Sequence, residues 1–261
     1  MSGLHPVCLG DHSSSTEFAT VFDSDGMPWL QLTIKTGMTS PVSDVLDPWP
    51  LLRKHEQVGC KRALRLIVHG RAGGYVPSCV RSFALQVAQR RGTPVLVEAL
   101  TATDRHEQSA DPIWLVPLLL LPGSHVREDV PLIRQRLQQQ GVNTRLVPFL
   151  GAWPSWWRLL QQWVQRQDCR DGSLVLVHHP LRQGVAHRYL SLLQQRLALP
   201  MLSWDDWHAD VASAKEASTP LFLALAPIQI TQTLRDSGVM TSLLEIELFR
   251  LGLIDLLAAL P

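Results

Sequence analysis

Hydrophobic and polar positions follow one another differently before and after residue 60. The first part is rich in Ser, Thr, Asp, Gly and Pro. Within it, "EFATVFDSDGMPWLQLTIK" predicts two short strands, Phe18–Phe22 and Trp29–Ile34, around an Asp-Gly turn, a dipeptide suited to the positive φ angles of tight hairpins. "TSPVSDVLDPWP" reads as a linker. From Arg62 the rhythm changes. "ALRLIV" (Ala63–Val68) is a continuous apolar strand, and "PSCVRSFALQVAQRRG" places Val80, Phe83, Ala84, Val87 and Ala88 on one helical face before Gly92 stops it. "TPVLVEAL" and "DPIWLVPLLLL" are further strands. "REDVPLIRQRLQQQG" is a helix with Asp129 as N-cap, Pro131 in its first turn and Gly141 at its end, and "VNTRLVPFL" is a fourth strand. Continuous apolar strands alternating with amphipathic helices predict an α/β fold with a parallel sheet covered on both faces.

The pattern returns in the second half. "SLVLVHHPLRQGVAHRYLSLLQQRLALPMLSW" lies beside "LRLIVHGRAGGYVPSCVRSFALQVAQRRGTPVLVE", and "PLFLALAPIQITQTL" beside "WLVPLLLLPGSHVRED". His69 aligns with His178, Pro94 with Pro200 and Pro122 with Pro227, at a nearly constant separation. This predicts two similar α/β modules, 61–151 and 152–261, behind an N-terminal extension, 1–60. The halves differ at the second histidine: His178 matches His69, but the match of His125 is Ile230, so only the first half has a histidine after both its first and its third strand. The last stretch, "LLEIELFRLGLIDLLAAL", is an amphipathic helix for core packing or a dimer face.

Composition narrows the function classes. Hydrophobic residues make up 46% of the 261 and charged residues 18%, enough apolar material for a sizeable core. The net charge of +1 and the lack of a polybasic run argue against a nucleic-acid partner. No apolar run is long enough to span a bilayer, and the N-terminus lacks the charged and apolar regions of a signal peptide. Cys8, Cys60, Cys79 and Cys169 form no C-x-x-C pair, which argues against a zinc ribbon or an iron–sulfur cluster and suits a reducing cytoplasm. A soluble cytoplasmic protein, monomer or homodimer, is expected.

Ligands of open parallel sheets bind beyond the carboxyl ends of the strands. His69 and His125 both stand at such ends, and neutral imidazole ligates Co²⁺, Fe²⁺, Ni²⁺ and Zn²⁺. Two histidines without further strong ligands make an open site, unlike the four-ligand shell of structural zinc. "VHHP" (His178–His179) reads as a relic of the first motif, "WDDWH" (Asp205, Asp206, His208) as a capped helix start, and Trp156 and Trp163, near "WPSWW", as core residues rather than flanks of a flat ligand.

"LIVHG" followed by "LVPLLLLPGSHVREDVP" resembles the class II tetrapyrrole chelatases, the sirohydrochlorin cobalto- and ferrochelatases. The resemblance rests on a strand ending in His-Gly, and on Pro117, Leu119, Pro122, Gly123, His125, Val126, Asp129, Val130 and Pro131 in family order. It spans roughly 62–260 and leaves out 1–60. Arg71 stands where the family usually has Ser, and Ser124 where it has Gly.

The resemblance implies insertion of a divalent metal into a tetrapyrrole, as in cobalamin or siroheme biosynthesis, without an organic cofactor. The metal, Co²⁺ or Fe²⁺ with Ni²⁺ as a third candidate, would be held by His69 and His125, which would also serve the proton chemistry. The macrocycle would lie over the crevice between the modules. Arg71 and Arg127, with Ser124, are candidates to grip its carboxylates. The family's acidic residue near the end of the second strand falls near Thr101; Glu98, three residues earlier, is the catalytic candidate, with Asp104 three later. A non-catalytic tetrapyrrole- or metal-binding homologue, a carrier or regulator, is the alternative.

Overall fold

The computed structural model describes residues 17–22, 28–34, 47–54, 61–101, 112–167, 174–181, 184–212, 219–227 and 242–261. Ile230, Asp104, Cys8, Cys60, Cys169 and most of the predicted linker lie outside them. So does the stretch between Thr101 and Pro112.

Strands β1 (Glu17–Phe22) and β2 (Pro28–Ile34) pair antiparallel, as the Asp-Gly turn between them predicts. A short helix, α1 (Pro50–Arg53), follows. The site-bearing region is a four-stranded sheet of β3 (Ala63–Val68), β4 (Val95–Ala99), β5 (Ile113–Pro117) and β6 (Thr144–Leu146). Its order is β4-β3-β5-β6 and all its pairs are parallel. Around it lie α2 (Ser78–Arg91), α3 (Val130–Gln139) and α4 (Pro154–Arg166). A second sheet has the order β8-β7-β9, also parallel, from β7 (Leu174–His178), β8 (Met201–Ser203) and β9 (Thr219–Phe222). Its helices are α5 (Val185–Leu197) and α6 (Trp204–Ala212). The chain closes with α7 (Glu247–Ala258).

The two sheets share a plan. Each sets its first strand in the middle with the next strand on one side and the third on the other. Pro94 and Pro200 precede the second strand of each, and their carbonyls accept from Leu64 and Leu176 N–H at 3.0 Å. The predicted fourth strand is shorter than expected. After Val147 donates to the Leu115 carbonyl (2.9 Å), Pro148, which has no N–H, interrupts pairing, and the chain enters a 3₁₀ turn at Leu150–Ala152.

Strand alternation explains the layers. Leu64, Leu66, Val68, Val95, Val97, Ala99, Trp114 and Val116 face one core with Phe83, Ala84 and Val87 of α2. Ile67, Ile113 and Leu115 face another with Val130, Ile133 and Leu137 of α3. A sheet apolar on both faces is one buried on both, which is why these strands read as continuous apolar runs. Each fully buried Leu or Phe here contributes roughly 1.5–3 kcal/mol. The larger core continues to Leu174, Leu176 and Leu221 of the second sheet through Trp153, Trp156 and Phe249. Trp153 and Trp156 are thus core residues, as is the apolar face of α7.

Polar bonds lock α7 in place. The Arg91 guanidinium donates to the carbonyls of Arg62 (2.8 Å), Leu257 (3.3 Å) and Leu260. Trp114 Nε1 donates to the Pro261 main-chain oxygen (2.6 Å) and Trp49 Nε1 to the Leu256 carbonyl (2.8 Å).

Candidate metal and tetrapyrrole site

β3 ends at Val68, and His69 is the next residue. The chain then turns sharply at Gly70, whose φ is +64°; a Cβ there would stand 2.4 Å from Ala99 Cβ. Only glycine fits both the left-handed backbone and the contact with the end of β4. Thr101 Oγ1 donates to the Arg71 carbonyl at 2.6 Å and pins this loop to the chain leaving β4.

The route to His125 is longer. Leu118 N–H still bonds the Ile67 carbonyl (2.8 Å), and the Leu119 carbonyl accepts from Gly151 N–H (3.0 Å). His125–Asp129 then forms a π-helical turn, with Val130 N–H bonded five residues back to the His125 carbonyl, before α3 proper begins. Turns of this kind occur mostly as local interruptions of helices, frequently at functional sites. Asp129 does not cap α3, contrary to the sequence expectation. It has helical angles and no side-chain cap bond, and its Oδ2 instead meets His125 Nδ1 at 2.5 Å.

These two routes bring His69 and His125 together. Their ring centroids are 4.8 Å apart, with planes at 88°. With metal–nitrogen bonds near ~2.1 Å, two imidazoles on one ion have centroids no more than roughly 6–7 Å apart, so this pair fits a shared ion. Among the described residues no group of three or more His, Cys, Asp and Glu forms a metal-binding set. His69 is reached by solvent, yet the protein around it desolvates the ring, and this chiefly lowers its pKa. The Gly70 carbonyl at 3.3 Å opposes the shift, while His125 and His179 add to it. A depressed pKa keeps His69 neutral, the form that ligates a metal.

The loop after β7 approaches the turn before His125. A side chain at Gly123 would come within 3.9 Å of Leu181 in that same loop. His178 likewise has its pKa lowered, first by burial.

The other expected residues divide. Arg71 is at the site's edge: its guanidinium lies over the Tyr75 ring at 5.7 Å, with Arg81 over the same ring at 5.4 Å. Arg71 Nε is buried without a hydrogen-bond partner among the described residues. Ser124 and Arg127 flank His125 and are exposed. Glu98 is corrected. Strand alternation turns it to the α3 side of the sheet, where it is 2% exposed; Arg65 Nη1 donates to Oε2 (2.7 Å) and Arg136 Nη2 to Oε1 (2.5 Å). Both its oxygens are committed to arginines rather than offered to the histidine pair. "WDDWH" forms the start of α6, with Ser203 Oγ accepting from Asp206 N–H at 3.2 Å.

Sequence reading missed three contributors. Asp129 carried a signal in its i,i+4 spacing from His125. Tyr75 carried none. Gly151, whose carbonyl accepts from Trp157 Nε1 (2.7 Å) and the Tyr189 hydroxyl (2.8 Å), carried none either.

The family model for CbiX matches residues 64–167, from β3 through α4. SirB from Bacillus subtilis with Fe³⁺ is similar in structure, at a TM-score of 0.51 and 14% identity, covering 75% of this chain and 94% of that one. The sirohydrochlorin chelatase SirB from Bacillus subtilis subspecies spizizenii in complex with cobalt has a TM-score of 0.46 and 14% identity, covering 75% and 93%. No curated protein matches the chain in sequence. The structural likeness speaks for the fold, and the family match covers both histidines and the turns that carry them. Residues 64–167, which carry both histidines, thus match the CbiX family model, and the fold is that of the SirB structure with Fe³⁺.

Proposed function

We propose that the protein inserts a divalent metal ion, Co²⁺ or Fe²⁺ with Ni²⁺ as a third candidate, into sirohydrochlorin or a related tetrapyrrole. The observation that carries this reading is the His69–His125 pair, 4.8 Å between rings, at the strand ends of a CbiX-matched sheet. We read the chain as two chelatase-like modules, 61–151 with the site and 152–261 facing it, after an extension, 1–60.

The chemistry follows from the donors. As ligands, His69 and His125 would each offer one nitrogen lone pair and leave the ion's other positions open to the macrocycle. As the metal bonds to the pyrrole nitrogens, two N–H bonds break and two protons leave the ring. The imidazoles released by the departing ion are bases of suitable strength near neutral pH. Arg71, stacked on Tyr75 beside His69, supports a role for this edge in holding the ring's carboxylates, with Arg127 and Ser124 on the His125 side. Glu98 has no step in this scheme.

The commitment of Glu98 to two arginines favours a second reading, a carrier that binds metal or tetrapyrrole without catalysis. Anaerobic mixing of the protein with sirohydrochlorin and Co²⁺ or Fe²⁺, followed by absorption, separates the two. The chelatase reading expects metallation well above the spontaneous rate, lost in His125→Ala and His69→Ala. Ring binding without acceleration would establish the carrier instead.

A further inference from the structure

We infer that Asp129 is the positioning residue for His125: its carboxylate holds the imidazole in one orientation and one tautomer, with the proton on Nδ1 and the Nε2 lone pair presented to the metal. The inference deepens the proposed metal site and rests on that reading for its purpose.

Three observations carry it. The contact is short and direct, His125 Nδ1 to Asp129 Oδ2 at 2.5 Å, and an ionised carboxylate can only accept, so Nδ1 is the donor. The backbone gives Asp129 no competing task, since its side chain makes no cap bond to α3. The π-helical turn from His125 to Asp129 sets the two side chains against each other, one turn before α3 packs on the sheet through Val130 and Ile133. Metal-ligating histidines characteristically give their second nitrogen to a carboxylate or carbonyl, which fixes ring and tautomer.

The two histidines are consequently unequal. Among the described residues His69 Nδ1 meets the carbonyl of its own neighbour, Gly70, at 3.3 Å, while His125 Nδ1 meets a carboxylate at 2.5 Å. An ion shared between them is held on the His125 side by a fixed ligand and on the His69 side by a looser one. Such an arrangement suits a metal that must be handed on.

The test needs no tetrapyrrole. Nitrogen–proton correlation spectra of the metal-free protein report the tautomer of His125, assigned by its loss in His125→Ala. The Nδ1–H form is expected in the parent and a mixture of forms in Asp129→Ala. In parallel, Co²⁺ titration of the visible spectrum is expected to show binding weakened about 10–100-fold in Asp129→Ala. Asp129→Asn, whose amide oxygen still accepts from Nδ1–H, should fall between the two. An Nε2–H form in the parent overturns the inference whether or not any variant folds. So does an Asp129→Ala variant that melts lower but keeps both the parent tautomer and the parent Co²⁺ affinity. A parent that binds no Co²⁺ yet shows the Nδ1–H form removes the chelatase reading and leaves this orientation in place.

Discussion

Gly151 lies hard against the carbonyl of Leu120: a Cβ built on it would stand 2.0 Å from that oxygen and 2.7 Å from the carbonyl carbon. The contact joins the 3₁₀ turn before α4 to the segment that leads into His125. The same turn reaches α4 and α5 through the bonds of Trp157 and Tyr189 to the Gly151 carbonyl. Gly151→Ala therefore has backbone, not a yielding side chain, in its way. Overpacking of this kind costs ~1–3 kcal/mol or more. The variant should unfold at lower denaturant and bind Co²⁺ more weakly, because relief of the clash moves the chain carrying His125. Parent-like Co²⁺ affinity would show that the turn does not hold the site.

Gly70 makes a related claim at the other histidine. Alanine there meets both a positive φ and the Ala99 methyl. The loop has to shift away from β4, and the Thr101–Arg71 bond goes with it. Gly70→Ala should lose Co²⁺ binding while retaining most far-ultraviolet circular dichroism, since β3 is complete before this turn. Gly92→Ala serves as the control. It shares the positive φ, but no neighbour lies within 4 Å of its Cβ, so it should lower stability and leave metal binding alone.

Much of this was legible in the chain, for identifiable reasons. β3 and the apolar part of the buried face of α2 were predicted residue for residue, because a strand buried on both faces and a helix ending in glycine at φ 73° leave strong local signals; the buried Arg91 was not predicted. The meeting of His69 and His125 was legible because both follow strands of one parallel sheet. What failed depended on partners distant in sequence. Glu98 looked like a rim acid until Arg65, in the interior of β3, and Arg136, on α3, turned out to hold it. Asp129, just before a helix containing Pro131, had the form of a cap. Its i,i+4 spacing from His125 was the one local hint of their pairing, and the cap reading, equally local, hid it.

The Glu98 assignment yields opposite expectations for two experiments. As a catalytic acid, Glu98→Gln would stop metallation and leave stability intact. As the shared partner of two arginines, its removal leaves Arg65, itself 2% exposed, without its carboxylate. Breaking a buried pair in this way costs roughly 3–5 kcal/mol. Glu98→Gln should accordingly show a large drop in unfolding free energy, and folded protein at low temperature should still bind Co²⁺. Loss of Co²⁺ binding with undiminished stability would return Glu98 to the site.

The lowered pKa values of His69 and His178 also set a direction for stability against pH. Both depart from an unfolded value near ~6.5. As pH falls through that value, the unfolded chain takes up protons that these desolvated rings resist, so the unfolded state binds more protons and stability declines. The decline ends once pH passes below the depressed folded values, where both states are protonated. Metal-free protein should therefore require less denaturant to unfold at pH 5.5 than at pH 7.5. The double variant His69→Gln, His178→Gln should have a shallower slope over that window. An equal slope would assign the acid sensitivity to other groups. Co²⁺ should steepen the dependence in the parent, because protons and metal compete for the same imidazole nitrogens.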